Sequence, residues 1–232
     1  LADLLPAEYH QLLRVPGIQR LQLDVLSSDD ALALVGQRLG VPRVSETVSA
    51  LIYERAEGNP FFIEELTSAL RDAGLILVTD GVCQLAPGVD LSALTFPDTV
   101  QGVIASRIDQ LTPPQQLTLK VASVIGRVFA FHVLHDIYPV QETKAQLATS
   151  LDTLQRVDLT PLYAPEPDLA YLFKHVITQE VAYNLLLFAQ RRELHCAVAE
   201  WYERTYTGDL APFYPLLAHH WSKAEVESKT VE

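Results

Sequence analysis

The stretch AEGNPFFIEELTSALRDAG, residues 56–74, has the residue types of a helix whose first turn could bind a ligand. Asn59 can accept a hydrogen bond from a backbone N–H of that turn, and Pro60 fits the first helical position, where no N–H donor is needed. Gly74 suits the left-handed residue that closes a helix, which predicts a helix over 60–73. The free N–H groups and partial positive charge of its first turn suit a phosphate-bearing ligand. The alternative is that Asn59 and Pro60 only start the helix and that the phenylalanines after them fill the core.

Histidines are the second group of residues that could do chemistry. A metal cluster could be drawn from His219 and His220 near Glu225, or from His195 near Cys196. Neither group has the spacing of a zinc site, and both fit helical faces, so we predict no metal site. The sequence also assembles no nucleophile with a general base and an orienting group, so we predict no catalytic residue.

Paired carboxylates have a simple structural explanation. Asp29-Asp30 and Glu64-Glu65 lie in predicted first helical turns, where the helix dipole alone favours acidic side chains. We expect Glu64 and Glu65 to lie off the apolar face of their helix. No G-x-x-x-x-G-K-[ST] loop occurs, and no acidic pair follows an apolar strand. The sequence therefore contains neither a phosphate-binding loop of this type nor its magnesium-binding acidic pair.

Composition and charge argue against nucleic acid and membranes as partners. The net charge is −12, and no basic run is longer than Arg191-Arg192, which argues against specific binding of nucleic acid. No apolar run approaches the roughly 20 residues that span a bilayer, so we expect no membrane partner and a cytoplasmic location. Cys83 and Cys196 lie far apart, which favours reduced thiols. Because the chain has no methionine, we expect an excised piece of a larger protein, although a processed terminus would look the same.

The first ninety residues predict a strand, three helices and a hairpin. Apolar and polar residues alternate over 20–25 as in a strand, and a helix capped by one of the two following serines comes next. A second helix is predicted over about 45–57, before the helix that begins at Pro60. Two short apolar runs around Asp80-Gly81 then predict a β-hairpin.

Residues 91–173 predict three helices followed by two strands. A helix resumes after Pro97, and the next begins at Thr112 with a proline at the first position and a glutamine that completes a capping box. A third helix falls within 140–157, and two strands flank the turn at 164–168. Three helices followed by a hairpin predict a winged helix.

From His175 the pattern is helical to the end of the chain. Its tyrosine, tryptophan, alanine and leucine content suits packed helical hairpins, but no 34-residue repeat can be demonstrated in one partial copy. The predicted fold class is mainly α, with small β-hairpins and a winged helix between two helical regions.

Five motifs in this order resemble the part that follows the P-loop core in signal-transduction ATPases of the STAND class: AEGNPFFIEEL, FPDTVQGVIASRIDQL, VASVIGRVF, YLFKHVITQEVAY and RRELHCAVAEWYE. The likeness is greatest to large bacterial proteins that join such an AAA-like ATPase to class III adenylate cyclase domains or to regulator domains, often with tetratricopeptide (TPR) repeats behind it. The resemblance implies the last strand of a P-loop core within 1–26, a helical lid with a hairpin at 27–90, a winged helix at 91–173 and a TPR-like helical region at 174–232.

The resemblance also implies nucleotide-binding residues. Relatives bring the proline of a Gly-x-Pro element, here Gly58-Asn59-Pro60, against the adenine of bound nucleotide. Many relatives end the winged helix with a Met-His-Asp triplet, whose histidine senses the diphosphate of ADP. Here the triplet is KHV and retains only the histidine, His175. The alternative for His175 is a hydrogen-bonded core or surface residue. The parent protein would bind ATP or ADP with magnesium, and the segment alone would bind neither tightly.

There are three hypotheses for the function of this chain. The first is a regulatory segment in which lid and winged helix close over nucleotide on the upstream P-loop domain of the same chain and bias an effector such as an adenylate cyclase. The second is a DNA-binding winged helix, which is disfavoured because the candidate recognition helix, with Glu142, Lys144, Asp152 and Arg156, has no net basic face. The third is a self-contained hydrolase or cyclase, for which the sequence offers no site.

Overall fold

In a computed structural model, which describes residues 15, 17, 21–89 and 97–226, the chain is mainly α-helical with two small sheets, as predicted. Its helices are α1 (Ser28–Leu39), α2 (Glu46–Ala56), α3 (Pro60–Asp72), α4 (Val100–Asp109), α5 (Pro113–Ile125), α6 (Phe131–Asp136), α7 (Lys144–Arg156), α8 (Val176–Asn184), α9 (Phe188–Thr205) and α10 (Tyr214–Lys223), with a 3-10 turn at Ala211–Phe213. Its strands are β1 (Arg43–Val44), β2 (Ile76–Thr79), β3 (Val82–Leu85), β4 (Val128–Ala130), β5 (Leu162–Ala164) and β6 (Ala170–Leu172).

Side-chain caps fix the helix starts of the N-terminal unit, residues 27–89. The Ser27 hydroxyl accepts from the third N–H of α1, and the Ser45 hydroxyl caps α2. The Asn59 side-chain oxygen accepts from the Phe62 N–H at 3.1 Å, and α3 ends beside Gly74 with φ of 68°. The predicted starts of these helices are therefore confirmed.

The sheet of the N-terminal unit differs from the prediction in one strand. The hairpin of β2 and β3 is confirmed, with Asp80 and Gly81 both at positive φ in its turn. The two-residue strand β1 adds to β3 in parallel, giving the order β1-β3-β2, and was missed because two residues carry no periodic signal.

The strand predicted over 20–25 is wrong for its described part. Residues 21–25 have no regular structure here, because neither described sheet lies beside them to pair with their backbone. Leu21 and Leu23 are 83% and 85% exposed. The apolar side chains of the alternating pattern are therefore not buried by any described residue. Residue 20 and most of the predicted P-loop end at 1–26 lie outside the described residues, as do 90–96 and 227–232.

The central unit, residues 97–173, contains one strand and one helix more than predicted. The Thr112 capping box is present, with the Gln115 side chain accepting from the Thr112 N–H at 3.0 Å, and the hairpin of β5 and β6 is confirmed. The additions are β4, which pairs with β6 to give the order β4-β6-β5, and α6. Three and six residues are too few for periodicity to reveal either element.

Two separate hydrophobic cores meet on helix α4. Val103 packs into the core of the N-terminal unit, whereas the adjacent Ile104, with Ile108, packs into the core of the central unit and the helices after it. A third, smaller core around Trp221 holds α9 against α10. The helical prediction from His175 onward is confirmed over α8, α9 and α10. In the described part of the chain, no helix combines the length and apolar character that crossing a membrane requires.

Candidate functional site

The first turn of α3 and His175 lie together, although they are far apart in the sequence. His175 is the residue before α8, with extended backbone angles, and its side chain makes no capping hydrogen bond. Its ring packs on the ring of Phe61, with 4.2 Å between the centroids. Pro60 and Asn59, which precede Phe61, are exposed. The fold thus brings both sequence-predicted groups to one place.

Gly58 is required by the backbone at this place. Its φ is 72°, which favours glycine, and a Cβ there would lie 2.6 Å from the carbonyl oxygen of Leu26. The Gly58 carbonyl also accepts from the Leu26 N–H at 2.8 Å. Gly58 therefore fixes the chain entry to α3 against residues 25–26, while Asn59 uses its side chain as the helix cap. Gly58 has no side chain and the Asn59 side-chain oxygen is the helix cap, so a ligand contact here falls to Pro60, the Asn59 amide NH2 and the N–H of Phe61.

His175 has a buried nitrogen with no hydrogen bond to any described residue. Its Nε2 is buried and lies 3.9 Å from the nearest carboxylate oxygen of Glu64, beyond hydrogen-bonding range. Burial lowers the pKa of His175, an effect that the Lys174 charge reinforces and the nearby Glu65, Glu64 and Asp158 partly oppose. The imidazole is therefore neutral at neutral pH and has one nitrogen available for a further partner.

Ion pairs surround this nitrogen and join the N-terminal unit to the central unit. Lys174 Nζ donates to Glu64 at 3.0 Å and to Asp158 at 2.7 Å. Arg38 pairs with the same Asp158 at 2.6 Å and also donates to Ser68. Burial alone would raise the pKa of Asp158, but its bonds and charge interactions with Lys174 and Arg38 outweigh burial and lower it.

Arg107 forms the most buried part of these contacts. Its guanidinium pairs with Glu65 at 2.5 Å and with Asp72 at 3.2 Å, and it donates to the carbonyl of Val157 at the end of α7. The side chains of Arg107 and Glu65 are 1% and 3% exposed. The expectation that Glu65 lies off the buried face is therefore wrong, because a buried guanidinium compensates its charge.

We call these seven residues the ionic interface: Arg38, Glu64, Glu65, Asp72, Arg107, Asp158 and Lys174. Sequence analysis identified none of these pairings. A usable signal exists for one of them, since Arg107 shares a helical face with the apolar Val103, Ile104 and Ile108. An arginine on an apolar face indicates a buried acidic partner.

The histidines considered as metal ligands are partly brought together. His195, His219 and His220 lie close to one another, with ring centroids 5.0 to 5.7 Å apart. Among the described residues, no group of three or more His, Cys, Asp or Glu side chains is arranged to hold a metal ion.

Comparison with known proteins gives two partial likenesses. A family described as a domain of unknown function (DUF8739) matches residues 27–84, most of the N-terminal unit. Adenylate cyclase type 10 of Oryctolagus cuniculus is 25% identical over 115 residues, which are 50% of this chain and 7% of that protein. The likeness therefore concerns a small part of a much longer protein.

Proposed function

We propose that the chain is the regulatory segment of a cytoplasmic STAND-type ATPase. Residues 27–90 would be its helical lid, residues 91–173 its winged helix and residues 174–232 the start of a TPR-like region. The segment would carry no catalysis. It would close over ADP or ATP with magnesium on the upstream P-loop domain and bias an effector such as an adenylate cyclase. The observation that carries this proposal is the contact of Phe61, next to Pro60, with His175.

The order of elements in the central unit also supports the proposal. Helix α5, strand β4, helices α6 and α7 and the hairpin of β5 and β6, with sheet order β4-β6-β5, are the arrangement expected of a winged helix. The partial likeness to adenylate cyclase type 10 supports the choice of effector.

The chemistry of the site suits a nucleotide diphosphate. Pro60 is exposed and can pack on a base, the first turn of α3 offers the N–H of Phe61, and the Nε2 of His175 has no competing partner among the described residues. Glu64 would repel a phosphate, but Lys174 already pairs with it. Because the same residues join both units, a ligand held there would stabilise the closed arrangement over an open one.

The test uses His175→Ala in the full-length parent protein, with ADP affinity and melting temperature measured on one sample. Loss of a hydrogen bond to a charged diphosphate should weaken ADP binding roughly ten- to a hundredfold and raise the basal output of the effector. His135→Ala is the matched control, because His135 contacts its exposed neighbour Asp136 and the ring of Phe131, away from the nucleotide contacts proposed here. Unchanged ADP affinity with a lowered melting temperature would show that His175 is only structural.

The alternative of a DNA-binding winged helix rests on the same order of elements. Its candidate recognition helix, α7, exposes Lys144, Asp152 and Arg156, which mix both signs of charge. We expect duplex DNA to bind weakly and without sequence preference at physiological salt. Tight, sequence-selective binding in an anisotropy titration would favour the alternative.

A further inference from the structure

A cavity of about 660 Å³ lies where the central unit meets the C-terminal helices. The last turn of α5 and helices α8, α9 and α10 form its walls. We call it the histidine cavity, because three of its polar residues are histidines: it is lined by Glu180, Tyr183, His195, His219, His220 and Lys223. Its apolar wall includes Val124, Ile125 and Leu216. The ionic interface contributes no residue to it.

A chain of hydrogen bonds leads into this cavity. The Tyr183 hydroxyl lies 3.1 Å from Nε2 of His195, and Nδ1 of His195 lies 2.7 Å from Nδ1 of His220. Both histidines are 2% exposed. The Nε2 of His220 makes no hydrogen bond to any described residue. A neutral imidazole carries one N–H, so if Tyr183 donates to His195, then His195 donates to His220, and the His220 proton sits on Nε2.

The charges around the histidine pair are positive. Burial, together with the charges of His219, Lys223 and Arg191, lowers the pKa of His195 to about 4. Burial, together with His195 and His219, lowers the pKa of His220 to about 3. No carboxylate contributes to either pKa shift, and Arg191 is already used by Tyr183 and two backbone carbonyls.

One carboxylate, that of Glu180, also lines the cavity. Glu180 of α8 is exposed, and α5 presents Ser123 and the backbone of its last turn, which ends at Gly126. Lys223 is exposed on α10. With Tyr183 as the donor to His195, the cavity combines a neutral N–H donor, a nearby ammonium group and an apolar wall; with the opposite direction of donation, Nε2 of His220 would be an acceptor.

We propose that the histidine cavity binds an organic anion, a carboxylate on an apolar body, with its oxygens on Nε2–H of His220 and the ammonium of Lys223. The apolar body packs against Val124, Ile125 and Leu216. A bare inorganic anion leaves that wall and most of the volume unused, which is why the ligand class includes an apolar part. The site lies apart from the nucleotide contacts proposed above, so it stands whether or not they do.

A bound ligand would contact both the central unit and the C-terminal helices. The carboxylate is held by α10, and the apolar body is held by α5 of the central unit. An occupied cavity therefore stabilises the packing of the C-terminal helices on the central unit.

The experiment uses the whole chain with benzoate as the probe and its neutral analogue benzamide as the matched control ligand. Imidazole ¹H–¹³C resonances report on each histidine separately. Millimolar benzoate should shift His220 and His195 to saturation, benzamide should not, and inorganic phosphate should bind more weakly than benzoate. Equal shifts with benzamide, or no shift of these two rings with benzoate, would overturn the proposal. Phosphate that binds at least as tightly as benzoate would overturn the assignment to an organic anion.

Substitutions of the two proposed ligand contacts test whether benzoate binds in the histidine cavity. Lys223→Met and His220→Phe should each weaken benzoate binding about tenfold or more, since each loses a contact to a charged oxygen. Because Lys223 is exposed, we expect Lys223→Met to leave the packing intact. It therefore tests the site even if His220→Phe disturbs the fold. His132→Gln is the control, because His132 packs on Trp201 and lies outside the lining. Unchanged affinity in Lys223→Met would refute the proposed contact.

Discussion

The ionic interface and the histidine cavity both lie where separate helical units meet, but they use opposite chemistry. The ionic interface joins the N-terminal and central units through Arg107, Arg38 and Lys174, each paired with carboxylates. The histidine cavity lies between the central unit and the C-terminal helices, and two imidazoles held neutral by burial and by positive neighbours link α9 to α10 beside it. The ionic interface depends on charged side chains, whereas the hydrogen bond between His195 and His220 depends on uncharged imidazoles.

This difference predicts that solution conditions weaken the two contacts separately. Mild acid protonates His195 and His220 in the unfolded state before the folded state, because the fold lowers their pKa values, whereas Asp158, whose pKa is lowered from 3.8, keeps its charge in that range. Salt screens the exposed part of the ionic interface and acts little on hydrogen bonds between neutral rings. Each contact can therefore be perturbed while the other is left intact.

Removal of Arg107 should give the largest effect. Arg107→Met leaves Glu65 charged and buried without its partner, so we expect a loss of about 3 to 5 kcal/mol in the free energy of unfolding, measured by urea denaturation. The double variant Arg107→Met with Glu65→Met should lose less than the sum of the single losses, because no charge is left unpaired. Arg156→Met, on the exposed side of α7, should change stability by less than about 0.5 kcal/mol. A loss that small in Arg107→Met would contradict a buried ionic contact.

Acidification should give the next largest effect, through the histidine cavity. The pKa values of His195 and His220 are lowered in the folded chain, from 6.5 to about 4 and about 3. The unfolded state therefore takes up protons first, and stability falls as the pH drops below 6.5. Each histidine should contribute about 1.4 kcal/mol per pH unit in that window, or nearly 3 kcal/mol together one unit below 6.5.

Comparison with a double variant isolates this contribution. His175 also has a lowered pKa and acts with the same sign, so the informative quantity is the difference between the wild type and His195→Gln with His220→Gln. That variant should show a flatter stability profile between about pH 6.5 and 4. Asp158 has a lowered pKa as well, but its contribution is lost only as the pH falls below its ordinary value of 3.8. Equal slopes in the two proteins would mean that the imidazoles are not held neutral.

Neutralising Asp158 should give the smallest effect of the three. Asp158 has φ of 61°, a conformation that asparagine tolerates, so Asp158→Asn removes the charge with little backbone strain. We expect a loss of about 1 kcal/mol at low salt, because its pairs with Arg38 and Lys174 are partly exposed. The difference from wild type should shrink near 1 M salt, where charges are screened. Asp152→Asn, at an exposed position of α7, is the control, and a salt-independent loss in Asp158→Asn would point to backbone strain.

Local signals predicted the elements better than the contacts between them. Asn59, Thr112 and Asp80-Gly81 act through atoms within a few residues, so their caps and turn follow from the sequence alone. Strand β1 and helix α6 were missed because short elements are fixed by their neighbours and carry no period of their own.

The candidate site was predictable only in part. Gly58, Asn59, Pro60 and His175 were selected by resemblance, and the structure brings the last two near each other through Phe61. The ion pair of Lys174 with Glu64 could not be foreseen, because partners so far apart in sequence meet only through packing of the two units. Arg107 on an apolar face was the one visible sign of such pairing.

Helix α4 has a mechanical consequence through its position between the two cores. Adjacent residues of a helix point about 100° apart, and here Val103 and Ile104 use that angle to engage different cores. Rotating α4 about its axis would remove Val103 from one core and Ile104 from the other at the same time, so packing in both cores holds the helix in its orientation. Both cores therefore resist rotation of α4 relative to either unit.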